Sequence, residues 1–130
     1  MADLPSLAPW LSVRDSRKAL EFYKAAFGAT VVLRIGEAEG PIVARLAIGG
    51  AEFWIGEESP EYFNFSPESL GGSTSRIVLS VSDPDSVFRQ ALNAGAKQVV
   101  AVHEDYGWRL GRVQDPFGHH WEIGRMLAES

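Results

Sequence analysis

The chain has 130 residues, 45% hydrophobic and 22% charged, which suits one buried core and is too short for two independent ones. A formal net charge of −5 without a Lys/Arg run excludes a nucleic-acid backbone as partner, and no apolar run reaches the roughly 20 residues of a membrane span. With no leader pattern and zero cysteines, the expectation is a cytoplasmic single domain over residues 1–130 that meets a small molecule or another protein.

Leu7 to Val13 is predicted as a strand. Asp15 then offers an N-cap to a helix over Ser16 to Phe27, where Ala19, Leu20, Tyr23, Ala26 and Phe27 recur at helical spacing and Gly28 supplies the stop. Thr30 to Ile35, Pro41 to Ile48 and Ala51 to Ile55 are β-branched or apolar runs parted by glycines, which predicts three more strands. The stretch from Glu57 to Ser75 is rich in Gly, Ser, Pro and acids. Its Tyr62, Phe63 and Phe65 are expected to latch it onto the domain, or else to form a lid over a pocket. Glu57 and Glu58 are expected to be solvated.

The second half repeats the order. Arg76 to Val81 is a predicted strand, Asp83 caps a helix that opens with Pro84 and ends at Gly95, and Val87, Phe88, Ala91 and Leu92 form its apolar face. Gln98 to Val102, Trp108 to Gln114 and His120 to Ile123 follow as strands. Val13 and Asp15 recur 68 residues later as Val81 and Asp83, and Gly28-Ala29 recurs as Gly95-Ala96. The chain is therefore read as an internal duplication of class α+β: two βαβββ modules, over residues 6–57 and 73–125, joined by a linker at 58–72.

Two stretches carry a family resemblance. One is Leu11-Ser12-Val13-Arg14-Asp15 with Ala19-Leu20-Glu21-Phe22-Tyr23 and Phe27-Gly28-Ala29; the other runs from Tyr106-Gly107-Trp108-Arg109 to Arg112-Val113-Gln114-Asp115-Pro116-Phe117-Gly118-His119-His120-Trp121. Together they resemble the PhnB-like branch of the vicinal-oxygen-chelate superfamily, which holds glyoxalases, bleomycin-resistance proteins and ring-cleaving dioxygenases. The resemblance implies that each module curls a four-stranded mixed sheet into a half-barrel, with helices outside, a site on the concave surface and, in many members, a homodimer. Asp115-Pro116-Phe117-Gly118 is a turn on its own chemistry, since Pro fixes φ and Gly permits φ > 0.

The superfamily's enzymes place metal ligands on the first and last strands of each module, and the resemblance carries those positions to Ala8, Trp54, Arg76 and Glu122. Only Glu122 can bind a metal, whereas a catalytic site needs about three protein donors. No metal and no cofactor are therefore expected. Strand alternation turns Ala8, Trp10, Ser12, Glu52, Trp54, Arg76, Val78, Ser80, Trp108, Leu110, Arg112, Gln114, His120 and Glu122 toward the cavity. It turns the apolar set Leu11, Val13, Phe53, Ile55, Ile77, Leu79, Val81, Val113, Trp121 and Ile123 toward the helices.

Indoles beside a few charges suit a small-molecule pocket, so Trp10, Trp54, Arg76, Trp108, Arg112, His120 and Glu122 are the expected ligand-binding residues. The tryptophans are expected to converge and stack a planar or cationic ligand, and an Arg76–Glu122 ion pair is expected where the metal would sit. His119 is read as a structural hydrogen-bonding residue of the turn and His103 as solvated surface. Catalytic residues are not identified: no phosphate-binding loop, nucleophile elbow or thiol is present. The leading expectation is metal-independent binding of an aromatic or cationic molecule, with drug sequestration as its use. The alternatives are a metal-dependent lyase, transferase or dioxygenase, and a metal-free enzyme or regulatory module that holds an anionic metabolite through Arg76, Arg112 and His120.

Overall fold

The computed structural model describes residues 4–127. Strand β1 (Trp10–Val13), helix α1 (Ser16–Phe27) and strands β2 (Thr30–Gly36), β3 (Ile42–Ile48) and β4 (Ala51–Glu57) form one βαβββ unit. A 3₁₀ turn (Pro60–Tyr62) and the short helix α2 (Pro67–Leu70) lead into the second: β5 (Arg76–Ser80), α3 (Pro84–Ala94), β6 (Lys97–Asp105), β7 (Trp108–Gln114) and β8 (His120–Met126). Each unit folds into a four-stranded mixed sheet, in the orders β1-β4-β3-β2 and β5-β8-β7-β6. The α+β class and the duplicated modules are thus present, with the sheets left open.

The helix signals act as read. Asp15 accepts from the Lys18 amide and Asp83 from the Ser86 amide, while Gly28 takes the left-handed conformation (φ 66°) that ends α1. The duplication is stricter than the two matches seen in sequence. Trp10 faces Trp54 in the first sheet and Val78 faces Glu122 in the second, so both parallel pairs keep the 68-residue spacing. Leu11, Ser12, Ile55 and Gly56 return as Leu79, Ser80, Ile123 and Gly124.

The helix-facing parity set forms the core. Leu11, Val13, Phe53, Ile55, Leu79, Val113, Trp121 and Ile123 are buried, and Ile77 and Val81 pack on them half-buried. Trp121 and Phe53 meet edge to face at 5.4 Å, and Tyr23 lies against both, so both modules share one core. A buried carboxylate ties it. Asp115 Oδ2 accepts from the Tyr23 hydroxyl and from Trp121 Nε1 (3.0 Å), and Oδ1 accepts from the Phe117 and His119 amides (both 2.9 Å). All its acceptor sites lie within the protein, which offsets the cost of burying the charge. Burial, with Asp115 beside it, pushes the Tyr23 hydroxyl well above the usual tyrosine range. His119 makes the structural bond expected of it, to the Ser12 carbonyl across the module boundary (2.9 Å).

Three expectations need correction. The first strand begins at Trp10, not Leu7: Leu7 is fully exposed and Ala8 lies outside the sheet. Pro9 has no N–H to give a ladder, although its carbonyl accepts from Trp54. The aromatic latch fails at Tyr62 and Phe63, exposed at 75% and 84%, whereas Phe65 is more covered, with 39% exposed, and borders a pocket with Trp10, Leu11 and Ile77. Polar bonds hold that segment instead, with Glu58 accepting from the Ser66 amide and the Ser69 hydroxyl and buried Ser66 capping α2. Glu57 and Glu58 are accordingly engaged side chains; Glu57 accepts from the Ser16 amide at the start of α1.

Candidate functional site

Strand β8 pairs with β5 on one side and β7 on the other, so its register decides which side chains share the concave face of the second module. Arg76 faces His120, which faces Gln114; Val78 faces Glu122, which faces Arg112; Ser80 faces Gly124, which faces Leu110. On the far side of β7, two irregularities in the β6 pairing bring His103 opposite Leu110 and Asp105 opposite Trp108. This face holds a cavity of about 420 Å³ bordered by Arg76, Val78, His103, Asp105, Tyr106, Trp108, Leu110, Glu122 and Gly124. Its walls are largely apolar, as small-molecule sites are.

The charges on that face are organised. Arg76 Nε lies 2.7 Å from Glu122 Oε1, the expected ion pair, with Glu122 largely covered and Arg76 half open. Arg112 Nε donates to His120 Nδ1 (3.2 Å), which leaves the His120 proton on Nε2. Burial first, and the Arg112 charge second, hold His120 below the usual histidine range. Neither Arg112 nor His120 borders the cavity itself; both lie one step along the same face.

The first module presents a different surface. Trp10 and Trp54 stack with centroids 6.0 Å apart and planes 18° from parallel, and the Arg45 guanidinium lies 5.4 Å over Trp54. Arg45 also pairs with Glu52, its neighbour across the β3–β4 ladder but one. The contact is poorly aligned: Glu52 Oε1 and Arg45 Nε both lack a hydrogen-bond partner among the described residues. The Trp10 ring crosses Gly56, where an added Cβ would lie 2.5 Å from it. Gly124, the counterpart of Gly56, instead borders the open cavity.

The tryptophans therefore do not converge as expected within one chain. Trp10 and Trp54 belong to the first sheet, Trp108 to the second, and the cavity beside Trp108 includes neither of the others. Parity alone placed each residue on the right face of its own sheet and carried no information on how the sheets lie together. His103, read as solvated surface, borders the cavity with Asp105 and Tyr106. Extending the predicted strand Gln98–Val102 to Asp105 would have included His103 and Asp105, but the two irregularities in the β6 pairing break the alternation that assigns their face.

The residues at the four ligand positions do not fit a metal. Ala8 has no donor, Trp54 is stacked on Trp10, and Arg76 puts a cation on the single carboxylate, Glu122. Among the described residues, no group of three or more His, Cys, Asp or Glu could share an ion.

Comparison with known proteins agrees with this architecture. A family model described as the Glyoxalase/Bleomycin resistance protein/Dioxygenase superfamily matches residues 4–123. An uncharacterized protein of Mycobacterium tuberculosis is 39% identical, aligned over 96% of this chain and 76% of its own length. Among solved structures, TioX from Micromonospora sp. ML1 shows 27% identity and a TM-score of 0.72, covering 97% of this chain and 99% of that one. A gene product of Arabidopsis thaliana shows 27% identity and a TM-score of 0.71, covering 98% and 100%.

Proposed function

We propose, from the premise that this chain belongs to the glyoxalase/bleomycin resistance protein/dioxygenase superfamily, that it binds a small aromatic or cationic molecule without a metal and acts by sequestering it. One observation carries this reading: the Arg76–Glu122 ion pair stands at two of the positions where a metal centre of this fold would have its ligands, on the rim of a cavity walled by Val78, Trp108 and Leu110. A fixed guanidinium there opposes a divalent cation, while the indole and aliphatic walls suit an organic ring.

Within the superfamily we place the chain in the PhnB-like branch, on the Asp115–Trp121 run. We take the working unit to be one domain over 1–130, with modules at 6–57 and 73–125 and a linker at 58–72, in a cytoplasmic homodimer. The exposed Val31, Val32, Leu33 and Ile35 on β2 and Val99 and Val100 on β6 support a partner subunit, because apolar strand surface of that extent is usually covered. Among the described residues no helix is long and apolar enough to cross a membrane.

One observation favours a second reading, an anionic ligand: Arg112 has no carboxylate within ion-pair distance among the described residues, and His120 lies beside it. Binding of that kind would weaken steeply with salt, whereas binding on aromatic surface would not.

Thermal unfolding after EDTA treatment tests the leading reading. Ni, Zn, Mn and Fe(II) should leave the midpoint unchanged, and an aromatic ligand should raise it by mass action. A saturable rise with any one metal would overturn it.

A further inference from the structure

The β6–β7 hairpin turns on two residues, Tyr106 and Gly107, with φ of 49° and 79°. Two successive positive φ values define the tight hairpin turn that favours Asn-Gly or Gly-Gly, and a tyrosine in the left-handed region strains the backbone. Burial does not compensate, since Tyr106 is 94% exposed. The residue nevertheless borders the cavity, which Phe63, the other non-glycine residue with positive φ among the described residues, does not. Strain of this kind, held where a cavity opens, is characteristic of ligand-contacting positions.

The flanking residues add the chemistry. Asp105 and Trp108 face each other across the same turn. Glu104, on the opposite face, is paired with Arg109, but the Asp105 carboxylate has no hydrogen-bond or ion-pair partner among the described residues. Arg76 is already matched by Glu122, so Asp105 leaves the cavity with an excess of negative charge beside two electron-rich rings.

We infer that Asp105, Tyr106 and Trp108 form a cation-holding pincer at the hairpin tip, and that the ligand carries an ammonium group on an aromatic or apolar body lying over Val78 and Leu110. This rests on the binding function proposed above and narrows its ligand class. A carboxylate supplies the point charge, the ring faces attract the cation, and neither demands directional hydrogen bonds, so a quaternary ammonium is accepted.

The test uses the full chain at fixed ionic strength and three probes of one size class: benzyltrimethylammonium, benzyl alcohol and benzoate, followed by NMR shift titration of the Trp108 indole. The ammonium should bind at least about fivefold more tightly than the alcohol, with benzoate weakest. Asp105→Asn and Tyr106→Asn should each abolish that preference, with the ammonium losing more affinity than the alcohol. Tyr106→Asn should also unfold at a higher temperature, because Asn-Gly suits the turn. Equal binding of the three probes, or a preference that survives both variants, would overturn the pincer and leave aromatic binding standing. Failure of all three to perturb Trp108 would overturn both readings.

Discussion

Replacing Tyr23 by Phe removes one hydroxyl from the shared core and almost nothing else. The hydroxyl donates to Asp115, which is buried and keeps its bonds from Trp121 and from the Phe117 and His119 amides. Hydrogen bonds to charged groups are worth roughly 1.5–3 kcal/mol, so a loss of about 2 kcal/mol is expected at pH 7. With an unfolding entropy of roughly 2.1 cal/mol/K per residue over 130 residues, that is a fall of about 7 °C in Tm. The pH dependence is more diagnostic. Because the folded protein holds Tyr23 protonated well above its ordinary value, the unfolded chain releases that proton from about pH 10 upward while the folded one retains it. The unfolded state of the wild type is thereby favoured by about 1.4 kcal/mol per pH unit, a loss the Phe variant does not share. The gap between the two proteins should therefore shrink progressively as the pH rises above about 10. Urea unfolding of both proteins at pH 7, 10, 11 and 11.5 measures it. A gap below about 0.5 kcal/mol at pH 7, or one that stays constant to pH 11, would refute the account of Asp115 as a charged hub.

Two further outcomes follow from the sites. Gly56→Ala places a methyl 2.5 Å from the half-exposed Trp10 ring, which must shift on its stack with Trp54, so the expected result is a changed Trp10 fluorescence with a stability cost of about 1–2 kcal/mol; unchanged emission would disprove the packing described. In an NMR titration His120 should titrate below the ordinary histidine midpoint, and Arg112→Ala should move it upward. A midpoint that does not respond to Arg112 would rule out the Arg112 charge as a cause.

Much of the fold was legible because it depends on local rules. Asp15, Gly28, Asp83, Pro84 and Gly95 mark helix ends by capping chemistry, and alternation sorted Val13, Ile55, Trp121 and Ile123 from Trp10, Trp54 and Glu122. The Arg76–Glu122 pair followed from the metal-ligand positions that the family resemblance carries onto β5 and β8. Tyr62 and Phe63 misled because aromatic character predicts burial only where surface is available to cover it, and here Ser66, Ser69 and Glu58 take that role.

The sequence by itself determined the duplicated α+β modules and the two faces of each strand. These depend on side-chain period, backbone conformation and residue chemistry, all of which act within a few residues. Only the tertiary structure decided that Trp108 stands apart from the Trp10–Trp54 stack, that Asp115 joins the modules through Tyr23, and that His103, Asp105 and Tyr106 reach the cavity. The physical reason is that sheet-to-sheet placement and strand irregularities are set by packing between residues far apart in the chain, as with Tyr23 and Asp115, and no local pattern encodes those contacts.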